Sequence, residues 1–352
     1  MSDASSRSSV LIPDRNESGT ALLRVDGLCV SFAAGAERGR SDLPSGVVDG
    51  VSFEIQRGRT LALVGESGCG KSITALSILR LLPSQATITA GAIHFDGTDL
   101  LSLTPRALNG IRGRRIGMIF QEPMTALNPL MRVGTQIAEV VAHHQEQGRQ
   151  EAWRSAVALL TEAALPDAER IAQCYPHHLS GGMRQRVMIA LALAGGPDLI
   201  IADEPTTALD VTIQNQVLWL LRDLTQARGA ALLLITHDLG VVAAVADDLA
   251  VMYAGRVVER GPARDVLAAP RHPYTEALLR CVPRLRDPGG RLHVISGAVP
   301  RPGEWPTGCR FHPRCERAGS EMRCRAESPE LRGVGDARAS ACWKSDEMAV
   351  TP

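Results

Sequence analysis

Leu61-Ala62-Leu63-Val64-Gly65-Glu66-Ser67-Gly68-Cys69-Gly70-Lys71-Ser72 is the stretch that decides the fold. Its first four residues form a short apolar run closed by glycine, as expected of a strand buried on both faces. Residues 65–72 then match G-x-x-x-x-G-K-[ST] in full, a loop whose glycines let successive N–H groups turn inward around phosphates. Helical spacing follows from Lys71 to Leu82 and stops at Pro83, so the positive end of a helix faces the same phosphates. The pattern assigns Gly65, Glu66, Ser67, Gly68, Cys69 and Gly70 to the cradle, Lys71 to the β and γ phosphates, and the Ser72 hydroxyl to Mg²⁺. Cys69 occupies a variable position and reads as a small spacer; an oxidisable thiol beside the phosphates is the alternative.

Further short apolar runs recur at 116–120, 199–202, 231–236 and 249–253. Helical stretches separate several of them, which predicts an α/β fold with a parallel sheet covered by helices. Upstream, Leu22, Arg24 and Val25, then Leu28, Val30 and Phe32, and again Val51, Phe53 and Ile55 alternate before Arg57-Gly58, predicting an antiparallel part with a turn. A strand-free insertion spans about 128–194, where Trp153, Val157, Leu160 and Ala164 fall on one face of an amphipathic helix. The expected organisation is a disordered tail at 1–20, a phosphate-binding domain at 21–261 with the helical subdomain inside it, and an appended module at 262–352. That module is rich in Pro, Arg and Gly, carries one short helix near Tyr274–Cys281, and does not resume the βα rhythm.

Composition narrows the classes. With 352 residues, 45% hydrophobic and 22% charged, the chain can build a large core. Its 38 basic and 38 acidic residues cancel, which removes the global basic field of a stand-alone nucleic-acid binder. No stretch reaches the roughly 18 uninterrupted apolar residues of a membrane span. The Ser-rich start lacks the apolar core of a signal peptide, so a cytosolic chain with reduced thiols is expected.

Leu199-Ile200-Ile201-Ala202-Asp203-Glu204 is an apolar strand closing in two acids. Beside a phosphate loop, Asp203 fits the Mg²⁺ shell and Glu204 fits the group that orients or deprotonates attacking water. The two motifs together imply nucleoside triphosphate hydrolysis.

Leu179-Ser180-Gly181-Gly182-Met183, placed before the acidic strand, resembles the LSGGQ signature of ATP-binding cassette (ABC) ATPases, with Met183 in place of Gln. Ser180 also reads simply as a helix N-cap. The resemblance implies that Ser180, Gly181 and Gly182 act on the γ phosphate held by an opposite subunit. It further implies that Gln121 senses Mg²⁺ and couples to the membrane subunit, that Ala208-Leu209-Asp210 is the D-loop, that His237 contacts the γ phosphate, and that adenine stacks on Phe32. These motifs run in the family's order over residues 22–260.

Gln121-Glu122-Pro123-Met124-Thr125-Ala126-Leu127-Asn128-Pro129, Arg271-His272-Pro273-Tyr274-Thr275 and Gly308-Cys309-Arg310-Phe311-His312-Pro313-Arg314-Cys315 resemble ATPases that energise dipeptide and oligopeptide import. Relatives of that group also move nickel, glutathione and haem. The resemblance implies ATP and Mg²⁺ as cofactors, a hetero- or homodimer of cassettes, two transmembrane permease subunits, an extracytoplasmic substrate-binding protein, and a peripheral place on the cytoplasmic face of the inner membrane. A non-transport ABC-type ATPase is the rival; the chain has neither a second phosphate loop nor a long coiled-coil insertion of the kind such proteins carry.

Four of the eight cysteines, Cys309, Cys315, Cys324 and Cys342, fall in the last 44 residues. The first gap is wider than in structural zinc pairs. Four thiolates can hold a [4Fe–4S] cluster, as in some dipeptide-importer ATPases, and a Pro-rich tail with little core needs a staple. Ordinary thiols and zinc remain the alternatives. His312 is expected to pack, and the histidine pairs at 143/144 and 177/178 to lie on the polar surface.

Overall fold

The computed structural model describes residues 21–33, 45–121, 126–207, 209–282, 293–335 and 337–350. The tail at 1–20, the segment 122–125 and Ala208 lie outside them. Strands β1 (Leu23–Phe32) and β2 (Ser45–Ile55) pair antiparallel, and β4 (Ala86–Phe95) and β5 (Thr98–Asp99) extend this first sheet in the order β2-β1-β4-β5. The two alternating segments at 22–25 and 28–32 are one strand: register shifts around Gly27, at φ +56°, break the alternation without ending the pairing.

The second sheet carries the phosphate loop. Its strands are β3 (Thr60–Val64), β6 (Ile116–Ile119), β7 (Leu199–Asp203), β8 (Ala231–Thr236), β9 (Asp248–Tyr253), β10 (Arg256–Pro262), β11 (Arg332–Gly333) and β12 (Ala339–Ser340). The order is β11-β12-β10-β9-β3-β8-β7-β6, with β9, β3, β8, β7 and β6 parallel and the β10 edge antiparallel. Strand polarity explains the sequence runs, since both faces of the central strands are covered. Leu61 and Leu63 pack towards the antiparallel sheet, whereas Ala62 and Val64 pack towards the opposite core. Likewise Ile201 and Leu233 face one side and Ile200 and Leu232 the other.

Helix α1 (Lys71–Ile78) follows the loop and ends earlier than the spacing predicts, because Leu79 leaves the helical region and Arg80 takes φ +51°. After α2 (Pro105–Asn109) and β6 come α3 (Val133–Gln145), α4 (Arg149–Glu162), α5 (Ala168–Ala172) and α6 (Gly181–Leu193). In α4 the buried face is Ala152, Ala156 and Leu160; Leu160 is on the predicted stripe, while Trp153 and Val157 pack half-buried beside it. Ala164 lies past the helix end at φ +56° and is exposed, contrary to the expectation. Beyond β7 come α7 (Val211–Ala227), α8 (Leu239–Val245), α9 (Ala263–Ala268), α10 (Pro273–Cys281) and α11 (Met322–Ala326). The C-terminal part also supplies β11 and β12 to the main sheet through β10, which its irregular composition concealed.

Packing between β6 and α6 leaves no room for a side chain at Gly117, where a Cβ would stand 2.4 Å from the Ala192 carbonyl oxygen and 2.8 Å from Ile200 Cδ1. Gly117→Ala should therefore lower the unfolding free energy by about 1–3 kcal/mol in urea titrations. Gly333→Ala, where a Cβ meets nothing within 4 Å, should stay within about 0.5 kcal/mol.

Candidate functional site

The loop between β3 and α1 is shaped by close backbone approaches. Gly65, Gly68 and Gly70 have φ of +154°, +81° and +106°, conformations that favour glycine. A Cβ on Gly65 would lie 2.2 Å from the Met252 carbonyl oxygen, and one on Gly70 would lie 3.0 Å from that of Val47. The Gly255 N–H closes the frame by donating to the Cys69 carbonyl at 2.9 Å. Lys71 is 4% exposed, and its Nζ donates to the carbonyls of Gly65 (2.8 Å) and Glu66 (3.1 Å). The Cys69 thiol is fully buried under the loop, and burial pushes its pKa up. That is the spacer reading; a buried neutral thiol is a poor nucleophile.

Strands β7 and β8 bring the acids to the same end of the sheet. Ser72 Oγ donates to Asp203 Oδ1 at 3.0 Å. Burial raises the Asp203 pKa, with the Ser72 hydrogen bond opposing it and the Glu204 charge adding to it. Glu204 takes φ +45°, an uncommon conformation for a residue with a side chain, and its N–H donates to the Ile235 carbonyl at 3.0 Å. Its carboxylate lies 3.9 Å from Lys71 Nζ and 3.5 Å from His237 Nδ1. It also accepts Thr207 Oγ at 3.1 Å and a longer bond from Gln121 Nε2 at 3.4 Å. The residues named from sequence as Gln121, Lys71, Glu204 and His237 thus surround one carboxylate. Thr207 was missed; its only signal is its place three residues after Glu204.

Ser180, Gly181, Gly182 and Asp210 stand apart from this group. Ser180 caps α6, accepting the Met183 N–H at 3.4 Å, and a Cβ on Gly181 or Gly182 would meet Leu209 or Ile213. Ser180, Gly181 and Asp210 are exposed, and Asp210 begins α7 without a side-chain cap. Phe32 ends β1 half-exposed, paired with Ser45 and Ala86.

Cys309, Cys315, Cys324 and Cys342 line one small cavity together with His272, Phe311, His312 and Trp343. None is in a disulfide. Burial pushes the four thiols up, Cys309 to about 11 and Cys342 to about 12, and neighbouring thiols raise Cys309, Cys315 and Cys342 further. The Lys344 N–H points at Cys342 Sγ (3.4 Å). Among the described residues no three His, Cys, Asp or Glu side chains group as they would around a single metal ion. The His312 ring turns to its own loop, 2.9 Å from the Cys309 carbonyl.

No local motif signals what grips the phosphate loop from outside. Arg314 forms a two-pronged pair with Glu66, at 2.8 and 2.9 Å, and the Tyr274 hydroxyl accepts the Glu66 N–H at 2.9 Å.

A glycine-rich loop, a hydrogen-bonded Ser72–Asp203 pair and a crowded Glu204, gathered at the ends of parallel strands, fit a nucleotide-hydrolysing site. Residues 48–207 match the ABC transporter family, and residues 258–324 match the oligopeptide/dipeptide transporter C-terminal region. A probable peptide ABC transporter ATP-binding protein of Sinorhizobium fredii is 51% identical over 85% of this chain and 89% of its own. The oligopeptide transport ATP-binding protein AppD of Bacillus subtilis is 50% identical (88% and 94%), and the dipeptide transport ATP-binding protein DppD of Escherichia coli 45% (92% and 96%). Among solved structures, the dimeric post-hydrolysis state of the ATP-binding cassette MJ0796 with ADP and Pi superposes with a TM-score of 0.60 at 28% identity, covering 69% of this chain and 99% of that one. The chain belongs to the ABC transporter ATP-binding family and is an ATPase subunit of that class. Among the described residues no helix is long and apolar enough to cross a membrane.

Burial of Asp203 has a consequence for pH dependence. Its folded pKa is raised above the unfolded value, so the charged form costs stability once pH rises through the usual carboxylate range and on past the folded pKa. Asp203→Asn should therefore raise the melting temperature of the nucleotide-free protein by a few °C at pH 8. The gain should shrink as pH falls and wild-type Asp203 takes up its proton, as thermal scans from pH 8 downward would record.

Proposed function

We propose that this chain energises the import of dipeptides or oligopeptides as one of two cassettes docked on the cytoplasmic face of two permease subunits, with an extracytoplasmic binding protein delivering the cargo. One observation carries the mechanism. Lys71, Gln121, Thr207 and His237 converge on Glu204, while Ser180, Gly181 and Asp210 stand exposed on other elements. Each chain thus supplies the phosphate loop and acids of one site and the Ser180 turn of the other, so that two nucleotides sit between two cassettes. Glu204 orients the attacking water, His237 and the partner's signature turn contact the γ phosphate, and Gln121 transmits closure to the permease. Adenine stacks on Phe32.

Ser72 and Asp203, hydrogen-bonded to each other, with Gln121 reaching the adjacent Glu204, would supply oxygen donors to Mg²⁺, which when bound neutralises charge on the β and γ phosphates. The names of the peptide-transporting relatives and the matched C-terminal region support peptide as cargo. In Glu204→Gln, turnover should fall at least about a hundredfold while ATP binding persists and a closed dimer accumulates in sizing experiments. Unchanged hydrolysis would remove Glu204 from its role. Stimulation of the assembled transporter by a peptide-loaded binding protein tests the cargo; stimulation only by nickel, glutathione or haem would redirect it.

The same reading extends to Cys309, Cys315, Cys324 and Cys342 as the ligands of a [4Fe–4S] cluster. Four free thiols lining one cavity, with the Lys344 N–H directed at Cys342 Sγ, support this reading. Protein purified anaerobically should be brown, contain iron and acid-labile sulfide, and lose both in Cys324→Ser. A colourless, iron-free preparation would end this assignment.

A further inference from the structure

We propose that Arg314 and Tyr274, both from the C-terminal extension, are positioning residues for the phosphate loop, and that they couple nucleotide binding to the fold of the segment around the cysteine cavity. The proposal rests on residues 65–72 being the nucleotide loop. Glu66 is the second residue of that loop and is held at both ends. Its N–H is turned outward to the Tyr274 hydroxyl, and its carboxylate receives both prongs of Arg314. A two-pronged guanidinium–carboxylate pair fixes direction as well as charge. Arg314 is itself locked: its side chain is 5% exposed, and it donates to the carbonyls of Ser296 (2.9 Å) and Ile295 (3.3 Å) and to the Tyr253 hydroxyl (3.4 Å).

The anchor leads directly to the cysteines. Arg314 is the residue before Cys315. Tyr274 stacks in a cluster with Tyr253 and Phe311, at ring separations of 4.6 and 5.3 Å, and Phe311 lines the cysteine cavity. Tyr274 is held in turn by His272, whose Nδ1 accepts the Tyr274 N–H at 3.1 Å.

The Glu66 carbonyl also engages Lys71 Nζ, so fixing Glu66 fixes one of the oxygens that place the ammonium. A loop released at Glu66 regains backbone freedom that nucleotide must then remove on binding, which weakens affinity. Reciprocity follows: whatever the extension contributes to nucleotide affinity, nucleotide returns as stability of the extension.

The test uses the full-length chain. ATP affinity is measured by calorimetry for wild type, Arg314→Met, Glu66→Gln, the double variant and Arg314→Lys. Amide exchange over 308–316 is followed with and without nucleotide. Each single change should weaken ATP binding about tenfold, and the double variant should be no weaker than either single, because the two residues act through one contact. Arg314→Lys should recover part of the loss. Nucleotide should slow exchange at 308–316 in wild type but not in Arg314→Met. Additive losses, or exchange indifferent to nucleotide in wild type, would overturn the proposal. Should Arg314→Met unfold the extension, Glu66→Gln decides alone, and unchanged affinity there refutes it. Failure of wild type to bind ATP would instead sink the reading of the loop itself.

Discussion

A loop that wraps phosphates must be kept in a backbone shape it would not adopt alone. Here the shape is imposed by confinement. The carbonyl of Met252, at the end of β9, approaches the Cβ position of Gly65 to 2.2 Å, and the β9–β10 turn donates its Gly255 N–H to Cys69. The turn is itself tight, with Ala254 at φ +45° and Gly255 at φ +85°. Trp305 of the extension lies where a side chain on Gly255 or Gly46 would go, and Arg310 stacks on Trp305 while pairing with Asp49 of β2. The phosphate loop, the β9–β10 turn, β2 and the extension therefore form one scaffold. Strain at any of them is felt at the loop, because close-packed backbone has no slack to absorb it.

The same end of the sheet gathers its least comfortable residues. Asp203 is a buried carboxylate whose charge burial disfavours, and Glu204 holds a left-handed backbone while four polar groups crowd its side chain. Such features lower stability and persist where the surroundings over-determine them. Their concentration beside a phosphate loop is the physical mark of a reacting centre.

What was legible in the sequence was local. Residues 65–72 and 199–204 carry their chemistry in adjacent positions, and runs such as Ala231–Thr236 announce strands covered on both faces. Faces of helices were less legible: α4 buries Ala152 and Ala156 beside the expected Leu160, with Trp153 and Val157 half-buried against the same core. Contacts across long sequence distances left no local trace. Glu66 and Arg314 are 248 positions apart, and neither is unusual in its own neighbourhood. The short β11 and β12 were hidden for a related reason. Two-residue strands have no periodicity to detect, and they exist only because β10 offers them an edge.

The three hydrophobic cores divide the labour of the site. One core joins Ala62 and Val64 of β3 to Tyr253, Tyr274 and Phe311, so the strand that delivers the phosphate loop shares its packing with the extension. A second joins the helices α3 to α6 to β7 and β8 on the same face of the sheet, further along the strand order, and it contains Leu179 and Val187, which flank and carry the Ser180 turn. Among the described residues, the extension is thus built into the core beneath the 65–72 loop and is absent from the core beneath the Ser180 turn. A change in the extension can alter how tightly that loop is held without reshaping the exposed Ser180 turn. That separation follows from strand order, the first core lying under β9 and β3 and the second under β8, β7 and β6, so an appended segment packs against the strand that leads into the 65–72 loop without entering the core that carries the Ser180 turn.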